Sequence, residues 1–266
     1  MYASEFLRND RETVIQSVRC NYHTLIYASN ELKNDYNFAL VLLGINVNVL
    51  RYLSDNLKRN REIVKIAVRN NGLLLEYLNN ELLDDEEIVS IAVSNNAYAY
   101  MHISERLSNN ENIVMYAITQ SCEIIDYIPL QFRDIFEFGK IVVTQNGYLI
   151  QYLSNNIRDN KEIATLAITN NIDSFHYISP RLQNDRDIIS IIIKKDSNMM
   201  CNMTIESKND KEIGKMVVSI NGLTLRYLSD ELKDDIMIVS IAINQNHYAY
   251  IYASSRIREL MSLKNV

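Results

Sequence analysis

Asn60-Arg61-Glu62-Ile63-Val64-Lys65-Ile66-Ala67-Val68-Arg69-Asn70-Asn71-Gly72-Leu73-Leu74-Leu75-Glu76-Tyr77-Leu78-Asn79-Asn80-Glu81-Leu82-Leu83-Asp84 is the stretch from which the fold can be read. In its first half Ile63, Val64, Ala67 and Val68 stand at i, i+1, i+4 and i+5, one face of a helix. Asn60, with Glu62 just behind it, reads as a helix start. Asp84 with Glu87 and Asp159 with Glu162 repeat the arrangement, a cap residue followed three positions later by Glu. The helix is expected to stop at Asn71-Gly72 in a left-handed turn, which Gly and Asn tolerate best. In the second half Leu75, Leu78 and Leu82 lie at i, i+3 and i+7, again one face. The stretch therefore predicts two helices of about ten residues joined by tight turns. Helices that short are marginal alone, so their apolar faces must be covered by neighbours.

The neighbours are more of the same. Tyr2, Tyr27, Tyr52, Tyr77, Tyr127, Tyr152, Tyr177, Tyr227 and Tyr252 fall on one 25-residue lattice, with His102 and Asn202 as exceptions. An apolar column runs through Leu7, Leu32, Leu57, Leu82, Leu107, Phe132, Ile157, Leu182, Leu232 and Ile257, broken by Ser207. A second contains Ile63, Ile88, Ile113, Phe138, Ile163, Ile188, Ile213 and Ile238. Ala67, Ala92, Ala117, Ala167 and Ala242 form a small-residue column; Asn21, Asn46, Asn71, Asn96, Asn146, Asn171, Asn221 and Asn246 form a polar one. The segment from Asn71 to Ser104 resembles that from Asn221 to Ser254, six periods later. A fixed period of this kind predicts stacked repeats sharing one continuous core. The expectation is an all-α protein, a right-handed α-solenoid of about ten 25-residue helix–turn–helix repeats. It occupies 1–266 as one domain, with a partial unit at 1–9 and a cap at about 256–266.

Composition agrees. Of 266 residues, 47% are hydrophobic and 23% charged, which excludes disorder as the main state. Six Gly and two Pro are too few for the turns of a β-sandwich or a doubly wound α/β fold. Cys20, Cys122 and Cys201 are odd in number and far apart, which fits a reducing compartment rather than a disulfide framework. No leading segment looks like a signal peptide and no apolar run approaches a membrane span, so a cytoplasmic location is expected. The formal net charge of −6 disfavours a general nucleic-acid binder.

Chemistry is hard to place on this lattice. His23, His102, His176 and His247 occupy four different columns, with no metal-ligand spacing to the cysteines. No phosphate loop and no nucleophile elbow occurs. Most carboxylates sit at helix starts, where capping explains them. The tyrosine column reads as packing between repeats, with each hydroxyl bonded to a neighbour. The serines that follow it (Ser29, Ser54, Ser104, Ser154, Ser179, Ser229, Ser254) read as local backbone bonding. No enzyme, cofactor or metal is expected.

In a repeat array, columns that vary between units carry the information. One such row on the second helix contains Arg51, Glu76, Tyr98, Met101, Asp126, Tyr148, Gln151, His176, Arg226 and Tyr248. Its mixture of Tyr, Arg and Met resembles interface composition. A protein partner on this row is the first expectation. A basic ridge on the first helix, Arg61, Lys65, Arg69, Lys140, Lys194 and Lys215, supports nucleic acid as the alternative partner. Unit 186–210 carries Met199, Met200, Cys201, Met203 and Ser207 in place of the usual choices and reads as a decayed unit.

The pattern Glu-Ile-Val-x-x-Ala-Val-x-x-Asn-Gly-x-x-Leu-x-Tyr-Leu-Ser resembles the helical repeat catalogued as domain of unknown function 4116. It is clearest from Glu62 to Tyr77 and returns from Glu87, Glu162 and Glu212. Units 36–60 and 186–210 keep the apolar columns and lose much of the rest. The resemblance covers almost the whole chain and carries no catalytic residues over. The family's occurrence in amoeba-associated bacteria, large DNA viruses and protists implies an effector or inhibitor that grips a host or rival protein.

Overall fold

The computed structural model describes residues 4–262, so lattice residue Tyr2 and Leu263 of the expected cap lie outside the described residues. Two compact units, Met1–Phe132 and Arg133–Val266, make up the chain. Among the described residues both are built from helices alone. The first unit holds ten-residue α-helices at Arg11–Cys20, Tyr36–Ile45, Arg61–Asn70, Glu86–Asn95 and Glu111–Gln120. The second holds them at Phe136–Gln145, Lys161–Asn170, Arg186–Lys195, Lys211–Ile220 and Ile236–Gln245. In each unit consecutive ten-residue helices pack on one another, as Arg61–Asn70 does on Glu86–Asn95 and Phe136–Gln145 on Lys161–Asn170.

The second half of the repeat differs from the expected single helix. Arg61–Asn70 is followed by a six-residue 3-10 helix, Gly72–Tyr77, and then by a four-residue α-helix, Asn80–Leu83. The break has a cause in the serine column. Leu53 and Ser54 are both extended, at φ −62°, ψ 162° and φ −63°, ψ 158°. The Ser54 amide donates to the Lys33 carbonyl of the preceding repeat (2.9 Å) instead of continuing a helix. Its Oγ accepts from the Leu57 amide and so caps the short helix. Pro129 occupies the serine position in one repeat, and there a 3-10 helix, Leu130–Asp134, replaces the short α-helix.

Two further expectations shift. No described residue has positive φ, so the Asn-Gly steps do not turn left-handed. Asn71 is extended (φ −149°), and its Oδ1 accepts from the Leu73 amide, which makes the asparagine column the caps of the 3-10 helices. Gly72 is needed for closeness: a Cβ there would lie 2.2 Å from the carbonyl oxygen of Ala92. Gly147 against Ala167 and Gly222 against Ala242 repeat the approach, also at 2.2 Å. The helix caps are moved by one position. Asp85 and Asn160 cap the ten-residue helices, accepting from Ile88 and Ile163. Asp84 and Asp159 are freed for another task, and no box forms with Glu87 or Glu162 at the distance expected.

The core follows the apolar columns. Ile63, Val64, Ala67, Val68, Leu74, Leu75 and Leu82 are all buried, and fully burying one such side chain is worth about 1.5–3 kcal/mol. Unit 186–210 is packed rather than decayed. Met199, Met200 and Met203 are buried, and buried Ser207 is bonded to Thr204 and Asn184. At the amino-terminal end Leu7 is 41% exposed, whereas Leu32 and Leu57 of the same column are 4% and 6%. At the other end the described part of the expected cap is an eight-residue helix, Ser255–Ser262, that buries Ile257.

Candidate functional site

Three columns that could have met a partner are occupied within the chain. The hydroxyl column forms a rung to the preceding repeat: Ser29 donates to Asn9, Ser54 to Asn34 and Ser229 to Asn209, at 2.5, 2.6 and 2.6 Å. Ser104, Ser154, Ser179 and Ser254 donate in the same way to Asp84, Asp134, Asp159 and Asp234. Arg106, Arg181 and Arg256 clamp Asp84, Asp159 and Asp234 from the next short helix. Hydroxyl and guanidinium together hold these three carboxyls below the usual range. Ser104 and Ser179 have the larger effect on Asp84 and Asp159, and Arg256 on Asp234.

The second occupied column is most of the basic ridge. Arg61 pairs with Asp85 and Glu87, and Lys65 with Glu62 and Glu87. Lys140 reaches Glu162 (3.0 Å) and Lys215 reaches Glu212 (2.9 Å). Arg11, Lys161, Arg186 and Lys211 pair with Asp35, Asp185, Asp210 and Asp235, each 24 residues on. Much of the ridge is thus a ladder of ion pairs between successive repeats, while Lys215 pairs within its own helix. Its partners raise the lysines, led by Glu162 for Lys140, Asp187 for Lys161 and Asp235 for Lys211. Of the six ridge residues named for nucleic acid, Arg69 and Lys194 have no ion-pair partner among the described residues. The third is the asparagine column, consumed as caps.

The variable row is placed differently. Arg51, Glu76, Tyr98, Met101, Asp126, Tyr148, Gln151, His176, Arg226 and Tyr248 all lie on 3-10 helices. Three residues per turn put positions three apart, such as Tyr98 and Met101, on one edge. Arg51 and Gln151 are half-buried and the other eight are exposed. The row meets the tyrosine column of the following repeat. Tyr98 stands edge-on to Tyr127 at 6.3 Å between centroids, and Tyr148 to Tyr177 at 5.2 Å. Tyr148 and Tyr177 share a hydroxyl–hydroxyl bond of 2.8 Å, while the Tyr98 hydroxyl donates to Glu123 (3.1 Å). Both bonds, together with desolvation, push the phenols of Tyr177 and Tyr98 up. Tyr52 meets His23 Nδ1 at 2.6 Å. The tyrosine column packs between repeats in part: Tyr52 and Tyr177 bond a neighbouring repeat through their hydroxyls, whereas Tyr27 and Tyr127 are 61% and 47% exposed, and the column forms the floor of the row. Tyr248 is 74% exposed against 37% for Tyr98.

Two features of this face escape a reading of the columns. Arg51 lies over the rings of Tyr22 and Tyr77, at 5.8 and 4.5 Å, and Arg226 over that of Tyr227 at 4.4 Å. Beside Tyr77, Arg59 and Asn79 replace both members of the hydroxyl rung, the one visible signal in the sequence. Among the described residues no three His, Cys, Asp or Glu side chains are placed to hold a metal ion, and no helix is long and apolar enough to cross a membrane.

These residues define a tandem helical-repeat protein whose unit is an α-helix, a 3-10 helix and a short α-helix. The chain belongs to the family described as a domain of unknown function (DUF4116), whose model matches residues 1–33, 10–58, 35–83, 60–107, 85–133, 137–183, 160–206 and 210–258. Neither the curated proteins nor the solved structures contain a match.

Proposed function

We propose that the chain is a non-catalytic protein-binding module of the cytoplasm, or of a host's cytoplasm, that docks one protein on its 3-10 face. On this reading the repeats stack as a right-handed α-solenoid of about ten units, and the partner is a host or rival protein that the module sequesters or inhibits. One observation carries the reading: the hydroxyl and asparagine columns and most of the basic ridge are committed to bonds inside the chain, and the 3-10 row is largely exposed and different in every repeat. Its Tyr, Arg and Met content is that of interface centres, where Tyr and Arg dominate the energy. The nucleic-acid alternative is weakened because four of its six ridge cations already face carboxylates, and counterion release needs unpaired charge.

Affinity capture on the full chain, with and without nuclease, tests this. Alongside the native chain run Tyr98→Ala with Tyr148→Ala, and Arg69→Glu with Lys194→Glu. A protein retained after nuclease, and lost only with the tyrosine changes, supports the reading. Capture that needs nucleic acid and fails with the charge reversals overturns it.

A further inference from the structure

The seam around Tyr77 is one of two places where the first unit breaks its own pattern, Pro129 being the other. In seven repeats the hydroxyl of a serine reaches an asparagine or aspartate of the repeat before it. At this seam the acceptor position holds Arg59 and the donor position Asn79, and no rung forms. Asn79 makes no cap bond to its helix, and its Oδ1 is buried without a hydrogen-bond partner. Arg51 Nε is buried and unpartnered as well. A buried polar atom left unpaired costs about 1–3 kcal/mol, so two of them against one side chain call for a reason.

Both flank Tyr77. The Arg51 guanidinium lies over its ring, held from the other repeat by Tyr22. Asn79 lines a cleft of about 230 Å³ with Tyr77, Leu78, Asp55, Lys58 and Arg59. Arg51, Lys58 and Arg59 have no ion-pair partner among the described residues. Many of the chain's other cations pair across repeats, as Arg61 and Lys161 do. Here three without such a pair are gathered around Tyr77, one of them already oriented by aromatic rings. Such an arginine loses little freedom on gripping a planar carboxylate with its two-pronged fork.

We propose that this seam anchors an acidic segment of a protein partner, with Arg51 and Arg59 taking its side-chain carboxylates. The proposal rests on the protein-binding reading above and names the partner's chemistry. A short acidic peptide fits better than a nucleic acid. The cations are few and confined to one seam, too few for the run of phosphate contacts on which nucleic-acid affinity depends.

The test is a titration of fluorescein-labelled hexaglutamate with the full chain at low salt, against hexaglutamine and a single-stranded oligothymidine. Hexaglutamate is expected to bind at least tenfold more tightly than either. Arg51→Ala and Arg59→Ala each weaken it about tenfold, and Arg19→Ala, an exposed cation on a ten-residue helix, leaves it unchanged. Arg59→Asn with Asn79→Ser, which rebuilds the rung, abolishes the preference while the melting temperature holds or rises. That second result separates a lost site from a lost fold. Equal binding of hexaglutamine, an equal loss with Arg19→Ala, or tighter binding of oligothymidine overturns the proposal. If hexaglutamate binds as stated and affinity capture yields no protein sensitive to Tyr98 and Tyr148, the seam stands and the wider row does not.

Discussion

At the scale of single residues the glycines divide by what surrounds them. Gly147 has the Ala167 carbonyl where a methyl group would go, whereas Gly44, exposed near the end of Tyr36–Ile45, has nothing within 4 Å of its missing Cβ. Gly147→Ala is expected to destabilise by about 1–3 kcal/mol through overpacking against a backbone that cannot yield. Gly44→Ala is expected to stabilise by about 0.5–1 kcal/mol, since it removes glycine's entropic cost in a helix. Urea melts of the two variants check this; equal signs would contradict the geometry. The carboxyls of Asp84, Asp159 and Asp234 are a second residue-scale handle. Each is held below its ordinary value, near 3.9, by hydroxyl and guanidinium bonds made in the folded state. Their contribution is therefore complete above about pH 4 and fades as pH falls through the lower folded value. A chain with all three changed to Asn should show a flatter loss of melting temperature between pH 4 and pH 2 than the native chain. The paired lysines act in the opposite sense, and their pH dependence is felt only at alkaline pH. Lys140, Lys161 and Lys211 are raised, so their share is complete below the ordinary lysine value, about 10.4, and fades as pH rises through the higher folded value.

At the scale of the element, the repeat is stabilised by bonds to its neighbours more than by its own helices. A four-residue helix such as Asn155–Arg158 cannot persist alone. Ser154 holds it by capping the Ile157 amide while its own backbone N–H reaches the carbonyl of Arg133 (3.0 Å). Ser154→Ala should cost about 1 kcal/mol, within the range for lost caps, and Ser154→Thr much less, because Thr204 does the same work at its own position. Thermal melts of both decide it. This scale is also where the sequence was least legible. Spacing of Leu75, Leu78 and Leu82 suits an α-helix, and it suits equally a 3-10 turn followed by a short α-helix, since both put residues three apart on one face. The ten-residue helices were plain because four largely apolar columns repeat in them, interrupted by Thr13, Ser17, Gly139 and Gly214. The variable row was legible as columns that change. The aromatic setting of Arg51 was not, because Tyr22, Arg51 and Tyr77 come from three repeats and no spacing within one repeat announces them.

At the scale of the molecule, a lattice without insertions means that a bond made 20 or 24 residues apart can be made again in any repeat that carries the same residue pair. Removing one period should leave the rest in register: with 86–110 deleted, Asp85 meets the helix starting at Glu111 and can cap it as Asn110 does now. Such a chain should unfold cooperatively and lose about a tenth of its helical signal, as nearest-neighbour stability implies. Deletion of 86–98, half a period, should leave no cooperative transition. Circular dichroism during thermal unfolding distinguishes the two.

The closed Asn-Gly steps have one more consequence, for chemical lifetime. An asparagine followed by glycine is the peptide bond most prone to deamidation, because the unhindered glycine nitrogen attacks the side-chain amide and closes a succinimide. Here the nitrogens of Gly72, Gly147 and Gly222 each donate to a side chain of the next repeat, Asn95, Asn170 and Gln245, at 2.8, 2.9 and 2.6 Å. The attacking atom is occupied, and the side chain it would attack is fixed as a cap. Three weak points of the covalent chain, spaced 75 residues apart, age only when the stack opens, so that isoaspartate at Asn71, Asn146 and Asn221 records how often each region has unfolded.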